Sequence, residues 1–404
     1  MQLISIVAVA IGRIVRFIIR IFRRGGGSAF PGTVASSIAP NLLSDAIRSA
    51  RMGLVVVSGS SGKSSTTSTL VALLRAHGYK VFTNPSTANI KQGLYAAILQ
   101  FGDYKGHIDA DFVVLEWDEG HGAALVESLR PRLAVLTNVY SDQLDRFVDP
   151  ELVVEKLKKI YDYSDQAVIN LDDKNLTQFV DQQKITGFGL SSKIEPRPSY
   201  AINFGPEPDF AADVEVIGIG DKSVQVKLTD RTLSFDTNAD APHQALNLAA
   251  SIAAISTLIE PDWGLVEKTI SNLPPVFARD EIASIRGKDV RFLLCLNPTS
   301  FSHSLSEISD QTSPLMIMAG GDISDPSWLW TVDFSKLKHV DVVGGKNAYD
   351  LALRLMYQDV QVDKIILEAD KASDAFLELA GPSPTVLFTA DAMRRTRRYL
   401  GLAK

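Results

Sequence analysis

Residues able to act on a phosphate are concentrated in one run, Val55-Val56-Val57-Ser58-Gly59-Ser60-Ser61-Gly62-Lys63-Ser64-Ser65-Thr66. Three β-branched residues make a short buried strand, and two glycines let the backbone turn tightly with its N–H groups facing inward. Lys63 adds a positive charge where a helix begins, and Leu70, Leu73 and Leu74 carry that helix's periodicity. Backbone donors of Gly59, Ser60, Ser61 and Gly62, a helix N-terminus and an ammonium would together meet phosphate oxygens. Ser64 or Ser65 is placed to offer a hydroxyl to a Mg²⁺ ion shared with those phosphates. The spacing is G-x-x-G-K-S-S, with Val57 where the longer G-x-x-x-x-G-K-[ST] loop carries its first glycine. The bland alternative is a Gly/Ser-rich turn that binds nothing; the strand before it and the periodic helix after it argue against that.

Other polar residues close apolar runs. Glu116 ends Phe112-Val113-Val114-Leu115, and a carboxylate ending a buried strand beside a phosphate loop is costly unless a cation meets it. A solvated strand-end acid is the alternative. Thr137-Asn138 ends a further run, and the loop Asp142-Gln143-Leu144-Asp145 follows closely with two acids and an amide. Asn170 is followed by the acidic pair Asp172-Asp173. Ligands of open α/β sheets gather at the carboxyl ends of the strands, so these residues point towards the phosphate loop.

The elements that must hold them follow from periodicity. From Leu54 on, short apolar runs at 81–84, 112–116, 133–138 and 167–170 alternate with helical stretches. That predicts an α/β fold with a largely parallel sheet and helices on both faces. Residues 191–240 change character, with Pro196, Pro198, Pro206 and Pro208 followed by alternating Val214, Val216, Val224, Val226 and Leu228, which reads as a small antiparallel β insertion. Residues 243–259 return to helix, with His243 and Asn247 one turn apart near its start. Pro274-Pro275 reads as a linker, and alternating strands and helices from about 276 to 404 make a second, smaller α/β domain. The central domain is then 40–275.

Residues 1–24 are apolar with Arg13, Arg16, Arg20, Arg23 and Arg24 interspersed, the first four on one helical face. The charge-free start is too short to span a bilayer, and the arginines follow the apolar run where a signal peptide would have them first. The expected element is an amphipathic helix on an anionic inner membrane face with Phe17, Ile18, Ile21 and Phe22 inserted. A helix docked on the protein or on a partner is the alternative. Gly25-Gly26-Gly27-Ser28 makes a flexible joint, so 1–39 forms an N-terminal segment. The whole chain of 404 residues is long enough for two or three domains, and 46% apolar with 22% charged residues is ordinary for a globular protein. A net charge of −6 argues against a general nucleic-acid binder and for a nucleotide's phosphate in the loop. The single cysteine, Cys295, excludes an internal disulfide or a cysteine-based zinc cluster and fits a reducing cytoplasm.

In their order, Gly59 to Ser65, Glu116, Thr137-Asn138 with Asp142-Gln143-Leu144-Asp145-Arg146, Asn170-Leu171-Asp172-Asp173, and His243 with Asn247 resemble the Mur ligase superfamily of ATP-dependent ligases. Within it the chain is most similar to the MurT family. That resemblance is carried by Gly25 to Gly32, Thr83 to Asn89, the D-Q-L-D-R loop, Asn297 to Phe301, Asp325 to Trp330, Ala348 to Leu355 and Phe388-Thr389-Ala390. It implies a central ATPase domain of phosphate-loop type and ATP with Mg²⁺ as cofactors. It implies Lys63 and Glu116 as catalytic groups, the metal held by Ser64, Glu116 and Asp142, and nucleotide contacts from Asn138, His243, Asn247 and Arg279. The activity it implies is amidation of the D-glutamate of the lipid II stem peptide through an acyl phosphate, with ammonia from a separate GatD-like glutaminase. An aspartate of the C-terminal domain would complete the partner's Cys–His pair, with Asp325 the candidate and Asp322 the fallback; a helix N-cap is the alternative role for Asp325. Two features depart from the family: one cysteine cannot build its common four-cysteine zinc ribbon, so no zinc is expected, and Leu296 replaces the lysine that commonly precedes Asn297-Pro298. An amino-acid-adding ligase of the same superfamily and a nucleotide-gated scaffold without chemistry remain as alternatives. Against the first stand the short stretch before the loop, which leaves no room for a UDP-sugar domain, and the D-Q-L-D-R variant.

Overall fold

The computed structural model describes residues 2–402 apart from 23–29, 85–90, 141–149, 196, 199, 202, 204–209, 221, 238, 240, 274–278, 296–297, 307, 310–311 and 322–325. The chain divides into two compact units, with the break between Leu273 and Pro274.

In the first unit, α1 (Gln2–Phe22), α2 (Phe30–Ile38) and α3 (Leu42–Arg48) precede the sheet. An alternation follows: β1 (Gly53–Ser58), α4 (Lys63–Ala76), β2 (Val81–Thr83), α5 (Lys91–Phe101), β3 (Phe112–Glu116) and α6 (Glu119–Leu129). It continues through β4 (Leu133–Leu136), α7 (Pro150–Asp162), β5 (Gln166–Asn170), α8 (Lys174–Thr177) and β6 (Ile185–Leu190). Then come β7 (Val214–Gly220), β8 (Ser223–Leu228), β9 (Thr232–Asp236), α9 (Pro242–Leu258) and α10 (Trp263–Ser271). All nine strands form one sheet in the order β2-β3-β1-β4-β5-β6-β7-β8-β9. The pairs up to β6–β7 are parallel, and β7, β8 and β9 pair antiparallel. The antiparallel strands expected between 191 and 240 are thus present as β7, β8 and β9, and they extend the main sheet.

Every second strand residue faces the same side, and here each side has its own core. Leu54 and Val56 of β1, Val113 and Leu115 of β3, and Ala134 and Leu136 of β4 pack with α3, α5, α6 and α7. Val55, Val57, Phe112, Val114, Leu133 and Val135 pack on the other side with α4, α9 and α10. Both faces are covered, so the strands read as unbroken apolar runs.

The N-terminal helix lies on this unit. Ala8 and Val9 are buried, and the Arg13 guanidinium donates to the carbonyls of Leu99 at 2.9 Å and Gly102 at 2.6 Å, at the end of α5. Arg16 donates to Gln100 Oε1 at 2.6 Å. A cation over the last carbonyls of a helix is a favourable cap. The opposite face exposes Leu3, Ile4, Val7, Ile11, Ile14, Phe17 and Ile18. The docked alternative therefore describes the arginine side, and the apolar side faces outward; Phe17 and Ile18 are on it, while the side chains of Ile21 and Phe22 lie outside the described residues. No helix among the described residues is long and apolar enough to cross a membrane.

The second unit contains β10 (Arg279–Ile285), β11 (Lys288–Leu294), α11 (Pro298–Ser306), β12 (Leu315–Met318), a 3-10 turn at Pro326–Thr331, β13 (His339–Gly344) and α12 (Ala348–Met356). It closes with β14 (Gln361–Ile366), α13 (Ala369–Glu378), β15 (Thr385–Phe388) and α14 (Ala390–Tyr399). Its sheet runs β10-β11-β15-β12-β13-β14, parallel except for the β10–β11 hairpin, with a core on each face. Cys295 is fully buried in one of these cores.

Candidate active site

β1 ends at Ser58 and α4 begins at Lys63, so the loop between them sits at the carboxyl edge of the sheet beside β3 and β4. Gly59 has φ 130° and Gly62 φ 84°, values that L side chains rarely adopt. Space imposes the same choice: a Cβ on Gly59 would stand 2.3 Å from Thr137 Oγ1, and one on Gly62 2.1 Å from Asn247 Oδ1.

The end of β4 fastens the loop. Asn138 accepts from Ser61 N at 2.8 Å through Oδ1 and donates to Ser61 O at 3.1 Å through Nδ2, while its own carbonyl accepts from Ser60 N at 2.9 Å. Thr137 Oγ1 donates to Ser61 O at 2.6 Å, and Tyr140 N donates to Ser60 Oγ at 3.1 Å. The acidic Asn170-Leu171-Asp172-Asp173 segment holds that end in turn. Asn170 Nδ2 donates to Thr137 O at 2.9 Å, and Asp173 Oδ2 accepts from Val139 N at 2.6 Å. Burial pushes the Asp173 carboxyl up to about 6, against amide hydrogen bonds from Val139 and Asn175 that favour its charged form.

Lys63 meets acids on the β3 side. Its ammonium donates to Glu119 Oε1 at 2.8 Å, to Ser60 O at 3.3 Å and to Gly59 O. Burial alone would lower the lysine's pKa; the Glu119 carboxylate, with Glu116 and Asp118 adding to the field, more than offsets it and holds the pKa above its ordinary value. Glu116 closes β3 at 5% exposure, with Asn84 bracketing its backbone: Asn84 Oδ1 accepts from Glu116 N and Asn84 Nδ2 donates to Glu116 O. Asp118 caps α6 by accepting from His121 N at 3.3 Å. Glu119, the first residue of α6, is fully buried.

A shallow pocket brings together Ser61, Gly62, Asn138 and Tyr140 of the loop side with His243, Leu246 and Asn247 of α9. Gly59, Ser60, Ser61, Gly62, Lys63, Ser64, Ser65, Glu116, Asn138, His243 and Asn247 are thus gathered at one edge of the first unit. Asp142, Asp322 and Asp325 lie outside the described residues. Arg279 opens β10 of the second unit, and its side chain lies outside the described part. Sequence reasoning missed Glu119 and Asp118; the signal was the run Glu116-Trp117-Asp118-Glu119, three acids in four positions. In the second unit, Trp330 meets the end of α12: Trp330 and Tyr357, just past that helix, pack edge to face at 5.1 Å, and the Arg354 guanidinium stands 5.5 Å from the Trp330 ring centre.

The donor set fits a nucleotide with magnesium. Two glycines leave no room for a Cβ where the backbone turns, Lys63 starts a 14-residue helix, and Ser64 and Glu116 offer only hard oxygen ligands. The buried hydroxyls of Thr66 and Thr67, in the first two turns of α4, have no partner among the described residues.

Comparison with known proteins agrees with this geometry. Residues 57–255 match the Mur ligase middle domain, and residues 294–391 match the MurT ligase C-terminal family. The MurF ligase of Thermotoga maritima, solved in complex with ADP, superposes with a TM-score of 0.65 over 91% of this chain and 83% of that one at 20% identity. A pseudomurein peptide ligase of type C from Methanothermus fervidus gives 0.67 over 86% and 78% at 15% identity. The chain belongs to the Mur ligase superfamily. Its C-terminal unit places it with the MurT-type members: the MurT subunit of lipid II isoglutaminyl synthase (glutamine-hydrolyzing) from Streptococcus pneumoniae is 24% identical, with 90% of this chain and 89% of that relative covered. The Staphylococcus aureus subunit of the same name is also 24% identical, over 85% and 86%.

Proposed function

We propose that this protein is the ATP-dependent synthetase subunit of a glutamine-dependent enzyme that amidates the α-carboxyl of D-glutamate in the lipid II stem peptide. The observation that carries the reading is the union, in one chain, of a phosphate loop whose Lys63 faces Glu116, Asp118 and Glu119 with a MurT-type C-terminal unit. A carboxylate resists ammonia because its leaving group would be oxide. The substrate carboxylate oxygen therefore attacks the γ-phosphorus, ADP leaves, and an acyl phosphate forms. Ammonia then attacks the carbonyl, phosphate leaves with the C–O electron pair, and the nitrogen loses a proton to give the amide. Lys63 and the loop N–H groups stabilise the charge that develops on the transferred phosphoryl group. Magnesium, held by Ser64, Glu116 and Asp142, would neutralise phosphate charge there. Asn138 keeps the loop in shape, and His243 and Asn247 border the nucleotide; Arg279 is a further nucleotide contact in this reading.

Ammonia comes from a GatD-like glutaminase bound to the second unit. α12 supports that partner, since Tyr349, Leu353, Met356 and the following Tyr357 are exposed on one face beside Trp330. Asp325 completes the partner's catalytic pair. The protein works in the cytoplasm and touches the inner membrane face, where its lipid-anchored substrate resides, through the outward apolar side of α1. The test is purified protein with lipid II, ATP, magnesium and ammonium chloride, the amide read by mass spectrometry and phosphate release measured alongside. ATP-dependent amide supports the reading; hydrolysis without amide, or incorporation of an amino acid, refutes it.

A further inference from the structure

An ammonium has three N–H donors, and those of Lys63 have three acceptors: the carbonyls of Gly59 and Ser60 and Oε1 of Glu119. The two carbonyls belong to a loop fixed by Thr137 and Asn138. The third acceptor is a side chain on a different element, the first residue of α6. Glu119 is fully buried, and its second oxygen, Oε2, has no partner among the described residues. A buried carboxylate with one oxygen unsatisfied is held there by its charge partner. A phosphate oxygen approaching Lys63 needs one of the three donors; the loop carbonyls stay fixed beside the ammonium through the loop's bonds to Thr137 and Asn138, whereas a side chain on another element can turn aside. Glu119 is the acceptor that gives way.

We propose that Glu119 is a built-in competitor of nucleotide phosphate for Lys63, a positioning residue that keeps the ammonium aimed into the loop and sets how tightly the loop holds phosphate. The proposal rests on the nucleotide reading of the loop and adds a determinant of its affinity. A structural ion pair that stays intact during binding would leave affinity alone; a competitor weakens it.

The experiment titrates ADP in the presence of EDTA into the full-length wild type and into Glu119→Gln and Glu119→Asp variants, by calorimetry, with a thermal melt to confirm folding. Glutamine keeps the shape and loses the charge, so its hydrogen bond to Lys63 is the weaker one; ADP is expected to bind roughly tenfold tighter. Aspartate is one carbon shorter and reaches Lys63 less well, so a smaller tightening, roughly threefold, is expected. Affinity that is unchanged or weaker in a folded variant, with the aspartate variant standing in should the glutamine variant fail to fold, overturns the proposal. No ADP binding by the wild type overturns the nucleotide reading itself and this inference with it.

Discussion

Oδ1 of Asn247 lies 2.1 Å from where a Cβ on Gly62 would sit, so α9 and the phosphate loop are packed as one surface with no side chain between them. Gly62 is also the N-cap of α4 at φ 84°. Gly62→Ala therefore meets both a clash and a left-handed backbone, at a cost of about 1–3 kcal/mol. The expected result is a lowered melting temperature together with loss of ADP binding, checked by thermal denaturation with and without nucleotide.

Glu116→Ala should remove the carboxylate at the end of β3 and with it much of the response to magnesium. The fold should persist, because what brackets Glu116 is its backbone, held by Asn84. Turnover across a magnesium titration should fall by orders of magnitude. An unaltered titration would take Glu116 out of the metal's surroundings.

Ile11 and Phe17 are exposed on α1, on the side away from its buried Ala8 and Val9. The double substitution Ile11→Asp with Phe17→Asp should leave stability within about 1 kcal/mol of wild type. Activity on a water-soluble stem-peptide analogue should be kept, and activity on lipid II in anionic vesicles should fall. Equal loss on both substrates would assign that face to the protein's own folding.

Two variants in the second unit should come apart. Met356→Glu on the exposed side of α12 should weaken the complex with the glutaminase, seen by gel filtration, and leave ammonium-driven amidation unchanged. Asp325→Asn should leave the complex and the ammonium reaction intact while glutamine-driven amidation collapses, because an amide cannot hold an imidazolium as a carboxylate does. Glutamine-driven activity that survives Asp325→Asn would leave Asp325 as a helix cap.

Asp173 gives a pH signature. Its carboxyl titrates at about 6 in the folded chain against 3.8 ordinarily, so between those values the folded state keeps a proton that the unfolded chain has lost. Its contribution is full below the lower value and fades as pH rises to the upper one, a loss of about 3 kcal/mol. Urea unfolding from pH 4 to pH 7 should show this decline in the wild type and a flatter profile in Asp173→Asn.

The strands that carry the site were legible because burial on both faces leaves unbroken apolar runs, as in Val113-Val114-Leu115 and Leu133-Ala134-Val135. Strand β6 was hidden by Gly187 and Gly189, which look like turn residues. Strand β14, Gln361–Ile366, sits at a sheet edge with mostly exposed residues, so no apolar run marks it. Glu119 was missed because an acid in the first turn of a helix is ordinary, and only the tertiary approach of α4 gives it Lys63 as a partner. The orientation of α1 was half legible: periodicity put the arginines on one face, but nothing local says that this face docks on the carbonyls at the end of α5.

That docking reverses how the protein should respond to ionic strength. A peripheral protein held to lipid by outward arginines washes off in concentrated salt, because screening removes the attraction. Here Arg13 and Arg16 are turned to the protein and the described side left outward is apolar, so in the membrane-contact reading proposed above excluded salts such as sulfate would strengthen the attachment. Sulfate washes should retain the protein in the membrane pellet, and mild detergent should release it.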